Sequence, residues 1–114
     1  MKHSSEFTNI KGLKMILELA DIRIQAGKQA EFDVAIQRGL DEVIRHAKGF
    51  LGFNVQKGIE SPERYLLMIY WATLENHTVD FRESPAFAEW RAIVGPYFAS
   101  APVVEHFDLL AKSE

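Results

Sequence analysis

Three polar residues have side chains and placements that could do chemistry: His77, Glu18 and Asn54. A neutral imidazole can act as a general base and take a proton from a bound hydroxyl. His77 falls early in a helix predicted to follow Trp71, where the positive end of the helix dipole disfavours the charged ring. Glu18 shares a strand face with Ile22 and Ile24. If that face meets the helices, Glu18 is a carboxylate inside an apolar pocket, and buried ionisable groups need a partner. Asn54, read on the same face as Phe50, could orient a bound carbonyl or dioxygen. Trp71, Phe81, Trp90 and Tyr97 would form flat walls suited to an aromatic ligand. Glu105 and His106 alternate on the last strand, so one of the two meets the pocket or a partner.

Each residue also has a plainer role available. His77 could be a partly exposed helix residue, Glu18 a strand-end carboxylate reaching water or an arginine, Asn54 a satisfied sheet amide, and the aromatics simple core. Arg82 and Arg91 read most simply as solvated helix charges.

Other chemistries find no support. There is no Cys, which removes disulfides, thiolate nucleophiles and Cys-ligated metals, and fits a reducing cytoplasm. The four His, at 3, 46, 77 and 106, form no pair at helix or strand spacing, so no metal is expected. No Gly-rich phosphate loop and no Ser or Cys nucleophile motif is present, and no cofactor is expected. A net charge of −3 without a basic block argues against nucleic acid. The apolar run Tyr65 to Ala72 is eight residues long, against the ~20 a membrane-spanning helix needs.

The elements that would position these residues follow from periodicity. Met15 to Gln25 alternates as a strand, closed by Ala26-Gly27. Lys28 to Ala47 is a helix whose apolar stripe is Phe32, Ile36, Leu40, Val43, Ile44 and Ala47. Gly39 within it marks a close approach, expected to a strand, and Lys48-Gly49 supplies a left-handed stop. Phe50 to Lys57 is a second strand, with Leu51, Phe53 and Val55 on one face and Phe50, Gly52, Asn54 and Gln56 on the other. It forms a hairpin with the central run starting at Arg64. That run has two apolar faces, Tyr65, Leu67, Ile69, Trp71 and Leu66, Met68, Tyr70, so both must be covered. The chain's own helices cover one. A second copy is expected to cover the other, with Leu17, Leu19, Phe53 and Val55 extending the dimer surface.

Thr73 caps a short helix from Leu74 to about Arg82. Ser84-Pro85 starts another, with Ser as cap, and Gly95-Pro96 breaks it. Val103 to Leu110 is the last strand. The order β-α-β-β-α-β predicts an α+β, ferredoxin-like fold: a four-stranded antiparallel sheet with both helices on one face. Residues 1–14 carry no apolar secretory core and are expected to form a tail; 15–112 form one domain.

Three passages carry a family resemblance: ILELADIRIQAGKQAEF, GFLGFNVQKG and YWATLENHTVDFRESPAFAEWRAIVGPYFASAPVVEHF. An aromatic strand ending in Trp, a helix, S-P-x-F-x-x-W and a proline-marked exit into the last strand resemble the antibiotic biosynthesis monooxygenase (ABM) domain of the dimeric α+β barrel group. The resemblance implies a homodimer packed through the open sheet faces and a pocket between sheet and helices in each subunit. Members oxidise quinols or aromatic polyketides with O₂ and neither metal nor flavin; others cleave haem. Haem-degrading relatives carry an Asn, a Trp and a His where this chain has Ala20, Phe81 and Arg91, so haem cleavage is not expected.

Two functions follow from the resemblance. One is a cofactor-independent monooxygenase acting on a small aromatic or quinol. The other is a non-catalytic dimeric module for small-molecule binding or stress. An enclosed cavity with Glu18 or His77 in its wall favours the first. A pocket filled by Phe and Trp side chains favours the second.

Overall fold

A computed structural model describes residues 15–114; the tail expected at 1–14 lies outside them. The elements are β1 (Ile16–Arg23), α1 (Gln29–Glu42), β2 (Phe50–Lys57), β3 (Arg64–Trp71), α2 (Pro85–Val94) and β4 (Val103–Asp108). A π-helical segment, Asn76–Phe81, stands between β3 and α2. The strands form one sheet in the order β2-β3-β1-β4 with every pairing antiparallel. The helices pack on one face, so the ferredoxin-like arrangement expected from the element order is the one found.

Alternation decides what β1 and β3 bury. Glu18, Ala20 and Ile22 of β1 lie opposite Ile69, Leu67 and Tyr65 of β3, and all six are buried. These residues and Trp71 form the floor on which Phe32, Ile36 and Leu40 of α1 and Trp90 and Val94 of α2 pack. The opposite face carries Leu17, Leu19, Leu66, Met68 and Tyr70, with Phe107 paired beside Leu17. No described element of the chain covers that face.

In β2 the alternation breaks. Phe50 lies opposite Trp71, Gly52 opposite Tyr70 and Phe53 opposite Ile69, so Leu51 is an extra residue in a β-bulge. A one-residue insertion exchanges the faces of everything downstream. Phe50 and Asn54 therefore lie on opposite faces. Asn54 pairs with Met68 on the open side, while Phe53 and Val55 turn toward the helices and not to the expected dimer surface.

The long first helix is shorter than the apolar stripe suggested. α1 ends at Glu42, and Ile44–His46 tightens into a 3₁₀ turn that still buries Ile44. Gly49, at φ +81°, makes the left-handed stop. A Cβ there would also collide with the side-chain amide of Asn76. Gly39 marks a close approach to α2 and not to a strand: its added Cβ would stand 2.8 Å from Trp90 Cζ3. Pro85 opens α2 as expected, but the Ser84 hydroxyl donates to the Phe81 carbonyl at 2.7 Å and does not cap the helix N–H groups.

Candidate active site

The turn after β3 fixes the polar cluster in place. Thr73 and Asn76 cap each other: Thr73 N–H donates to Asn76 Oδ1 at 3.0 Å, and Asn76 N–H donates to Thr73 Oγ1 at 3.1 Å. Asn76 Nδ2 donates onward to Asp80 at 3.1 Å. The segment continues with an i→i−5 bond from Arg82 N–H to the His77 carbonyl at 3.1 Å. Such π-type turns recur at functional sites because they re-aim a side chain. Here the turn drives His77 inward, to 4% exposure, instead of leaving it a partly exposed helix residue.

His77 stacks on Trp71, with ring centroids 5.3 Å apart and planes 13° from parallel, and Phe81 flanks it at 6.2 Å. Its Nε2 lies 3.4 Å from Glu18 Oε1. Its Nδ1 is hydrogen-bonded to Nε2 of His106 at 2.8 Å, one ring donating and the other accepting. Trp71 Nε1 donates to the same Glu18 oxygen at 2.9 Å. The register makes this cluster: Glu18 lies directly across from His106 on β4 and from Ile69 on β3, two residues before Trp71.

Burial sets the protonation states. Desolvation pushes the Glu18 carboxyl up to about 7, against the pull of the Trp71 hydrogen bond and the Arg82 charge. Desolvation pushes His77 down to about 4, with the charges of Arg82 and His106 acting in the same direction. His106 is also lowered, by its own partial burial and by Arg82. Near neutrality both imidazoles are uncharged, and Glu18 is the group whose proton is in balance.

A cavity of about 270 Å³ opens on this cluster. Glu18, Ala20, Ile22 and Leu67 form its sheet side, and Trp90, Phe87, Phe98 and Val104 the apolar remainder. Arg82 and Arg91 complete the wall. Glu18 and Trp90 are thus where the sequence placed them, in one pocket between sheet and helices. Trp71, His77 and Phe81 stand behind Glu18 and hold it, and do not line the space. Tyr97 is elsewhere, edge-on to Phe32 at 5.9 Å, because the turn Gly95–Tyr97 carries it away from the cavity. Asn54 is across the sheet, where its Oδ1 accepts from Gln56 Nε2 at 3.2 Å.

Sequence reasoning left His106 open and took Arg82 and Arg91 as solvated charges. His106 could have been found by setting the strands in register. Nothing local to the two arginines distinguishes them from the paired surface arginines. The one local signal for Asn54 was Gly52, since a glycine inside a strand often marks a bulge.

The profile of the antibiotic biosynthesis monooxygenase family matches residues 15–93. The uncharacterized protein YczJ of Bacillus subtilis is 36% identical over 93 residues, spanning 82% of this chain and 97% of that protein. A crystal structure of a candidate antibiotic biosynthesis monooxygenase from Bordetella bronchiseptica superposes with a TM-score of 0.81 at 39% identity, covering 86% of this chain and 99% of that one. The monooxygenase from the gene ActVA-Orf6 of Streptomyces coelicolor, solved with the ligand Nanaomycin D, superposes with a TM-score of 0.75 over 89% of this chain and 92% of that one. At 16% identity this last likeness is one of fold.

Proposed function

The chain belongs to the antibiotic biosynthesis monooxygenase family, and from that premise we propose that it is a homodimeric, cofactor-independent monooxygenase that oxidises a small aromatic or quinol with O₂. The observation that carries this reading is the Glu18 carboxyl. It sits in the wall of a largely apolar cavity that also holds Arg82 and Arg91, bonded by Trp71 and backed by His77. A domain that only packed or bound an apolar guest would gain nothing from a desolvated carboxyl, whose burial costs free energy unless it is used or compensated.

In the proposed reaction the ionised Glu18 takes a hydroxyl proton from the bound quinol. His77 Nε2 stands 3.4 Å from that carboxyl and its Nδ1 is hydrogen-bonded to His106, so the two rings offer the proton a route toward half-exposed β4 and back. The substrate anion supplies the electrons. One atom of O₂ bonds to a ring carbon; the O–O bond then breaks, the ring C–H proton and the proton returned from Glu18 leave with the other oxygen as water, and the quinol becomes a hydroxyquinone. The roles differ from the sequence expectation: Glu18 is the base, His77, buried and neutral, stands behind it, and Asn54, across the sheet, takes no part. Trp90 and Phe87 offer flat walls to the ring.

The open sheet face supports the homodimer. Leu17, Leu19, Leu66, Met68 and Tyr70 form an apolar surface across two central strands, the kind an obligate interface buries. The absence of Cys suits a cytoplasmic setting, and no helix among the described residues is long and apolar enough to cross a membrane.

The test is O₂ consumption by the purified protein over a panel of quinols and phenols, with Glu18→Gln as control. The expected result is uptake that depends on protein and on Glu18. No uptake above the autoxidation rate for any compound in the panel would reject the oxygenase reading.

A further inference from the structure

The chain has six arginines, and four of them are spoken for. Arg23 and Arg64 pair with Asp21, Arg38 with Glu42 and Arg45 with Asp41. Neither Arg82 nor Arg91 forms a close ion pair among the described residues, although the Arg82 charge is felt at Glu18, and both are in the wall of the Glu18 cavity. Their guanidinium carbons stand 5.7 and 5.8 Å from the centroid of one ring, that of Phe87. Two like charges thus stand against one aromatic ring at a cavity that contains one acid, and burial raises that acid to about 7. Like charges brought together repel, and the Phe87 quadrupole offsets this only in part. Glu18 is the single acid among the residues of that wall, set against two arginines.

We propose that this cavity takes an aromatic hydroxy acid: a one- or two-ring phenol or quinol that carries a carboxylate, with the hydroxyl at Glu18 and the carboxylate between Arg82 and Arg91. This narrows the substrate class of the proposed oxygenase site and rests on that assignment of the cavity. The volume supports it. About 270 Å³ is just under the ~300–1,000 Å³ common for ligand pockets, which suits a small ring system. The polarity supports it as well. The wall combines one acid and two bases with the apolar residues Ala20, Ile22, Leu67 and Trp90, so a ligand that fills the space should join an apolar ring to polar groups of both kinds. Guanidinium groups bind carboxylates through paired, charge-assisted hydrogen bonds, so the acid gains where an ester or amide of the same shape does not. The chain as a whole is acidic, at −3, so attraction of an anion at this wall comes from the two arginines and not from the net charge.

The experiment is anaerobic calorimetric titration of the intact protein with three probes: a dihydroxyphenylacetate, its methyl ester and unsubstituted hydroquinone. The acid should bind about tenfold or more tightly than either neutral probe, as one charge-assisted contact implies. That preference should shrink with added salt. Arg91→Gln and Arg82→Gln should each reduce it while leaving the ester's affinity within about twofold. Equal binding of acid and ester, a preference that survives both substitutions, or no binding of any probe overturns the proposal. Because no O₂ is present, the titration is independent of turnover. Selective binding of the acid without O₂ uptake would sink the oxygenase reading and keep this one. Uptake with the ester as fast as with the acid would do the reverse.

Discussion

His77 Nε2 stands 3.4 Å from Glu18 Oε1, and both side chains are buried. They meet because the mutual capping of Thr73 and Asn76 sets the turn after β3, while strand register sets Glu18 beneath it. Desolvation moves the two groups in opposite directions: the acid is raised to about 7 and the base is lowered to about 4. The contact is therefore between a neutral imidazole and a carboxyl poised near physiological pH, and is not a fixed ion pair.

Stability should report this directly. With Glu18 at about 7 in the folded state and 4.5 as its ordinary value, the folded protein holds a proton that the unfolded chain has released between those pH values. Its contribution is full below 4.5 and is lost as pH rises through 7. Glu18→Gln does not titrate. The stability of the wild type relative to Glu18→Gln should thus fall as pH rises from 4.5 to 7, by on the order of 3 kcal/mol. His77 is lowered and contributes the opposite slope, but it does so in both proteins and cancels in the comparison. Urea melts across that range make the test, and a constant difference would mean that Glu18 is not desolvated.

Activity should divide the three groups. Glu18 must be ionised to accept a proton, so kcat/KM should rise with pH through about 7 and level off above it. His77→Ala should lower kcat by at least ~10², the lower bound for a positioned proton-transfer group. His106→Ala should cost less, since its β4 position is half-exposed, and imidazole in the buffer should restore part of the rate. An unchanged rate for His77→Ala removes it from the proton path.

Gly39→Ala is a packing test of the cavity wall. Alanine improves helix propensity by about 1 kcal/mol, but its Cβ would press on Trp90 Cζ3 at 2.8 Å and Cε3 at 2.9 Å. Overpacking typically costs ~1–3 kcal/mol and should outweigh that gain. The expected result is a lowered melting temperature together with weaker binding of aromatic ligands, since Trp90 lines the cavity. A stabilised variant would mean that α1 and α2 can move apart freely.

The two faces of β3 should answer differently to the same charge. Leu67 is 2% exposed beneath the helices, so Leu67→Asp should unfold the domain, at a cost of several kcal/mol. Met68 lies on the open face, so Met68→Asp should leave a folded chain that sediments as a monomer at micromolar concentration, where the wild type sediments as a dimer. A monomeric wild type, or a dimeric Met68→Asp, would refute the interface.

What the sequence made legible was whatever depends on period. The faces of β1 and β3, the buried position of Glu18 and the break at Gly95-Pro96 all follow from alternation or turn chemistry, and the structure has them as expected. Asn54 was misplaced because one bulge residue exchanges faces, and a bulge is decided by pairing with a neighbour rather than by the strand's own pattern. Tyr97 was misplaced because helical period was carried past the end of α2 into a 3₁₀ turn. His106 joined His77 through contacts between residues 29 apart in the chain, which no local pattern encodes.

The central claim, oxygenation without a bound cofactor at the Glu18 cavity, is tested most directly by turnover under heavy-isotope O₂ with mass analysis of the product. The account predicts one heavy oxygen atom in each product molecule, the other in water, no requirement for added metal or flavin, and loss of the labelled product in Glu18→Gln. Product without heavy oxygen, or O₂ recovered as hydrogen peroxide beside an unhydroxylated quinone, would contradict it.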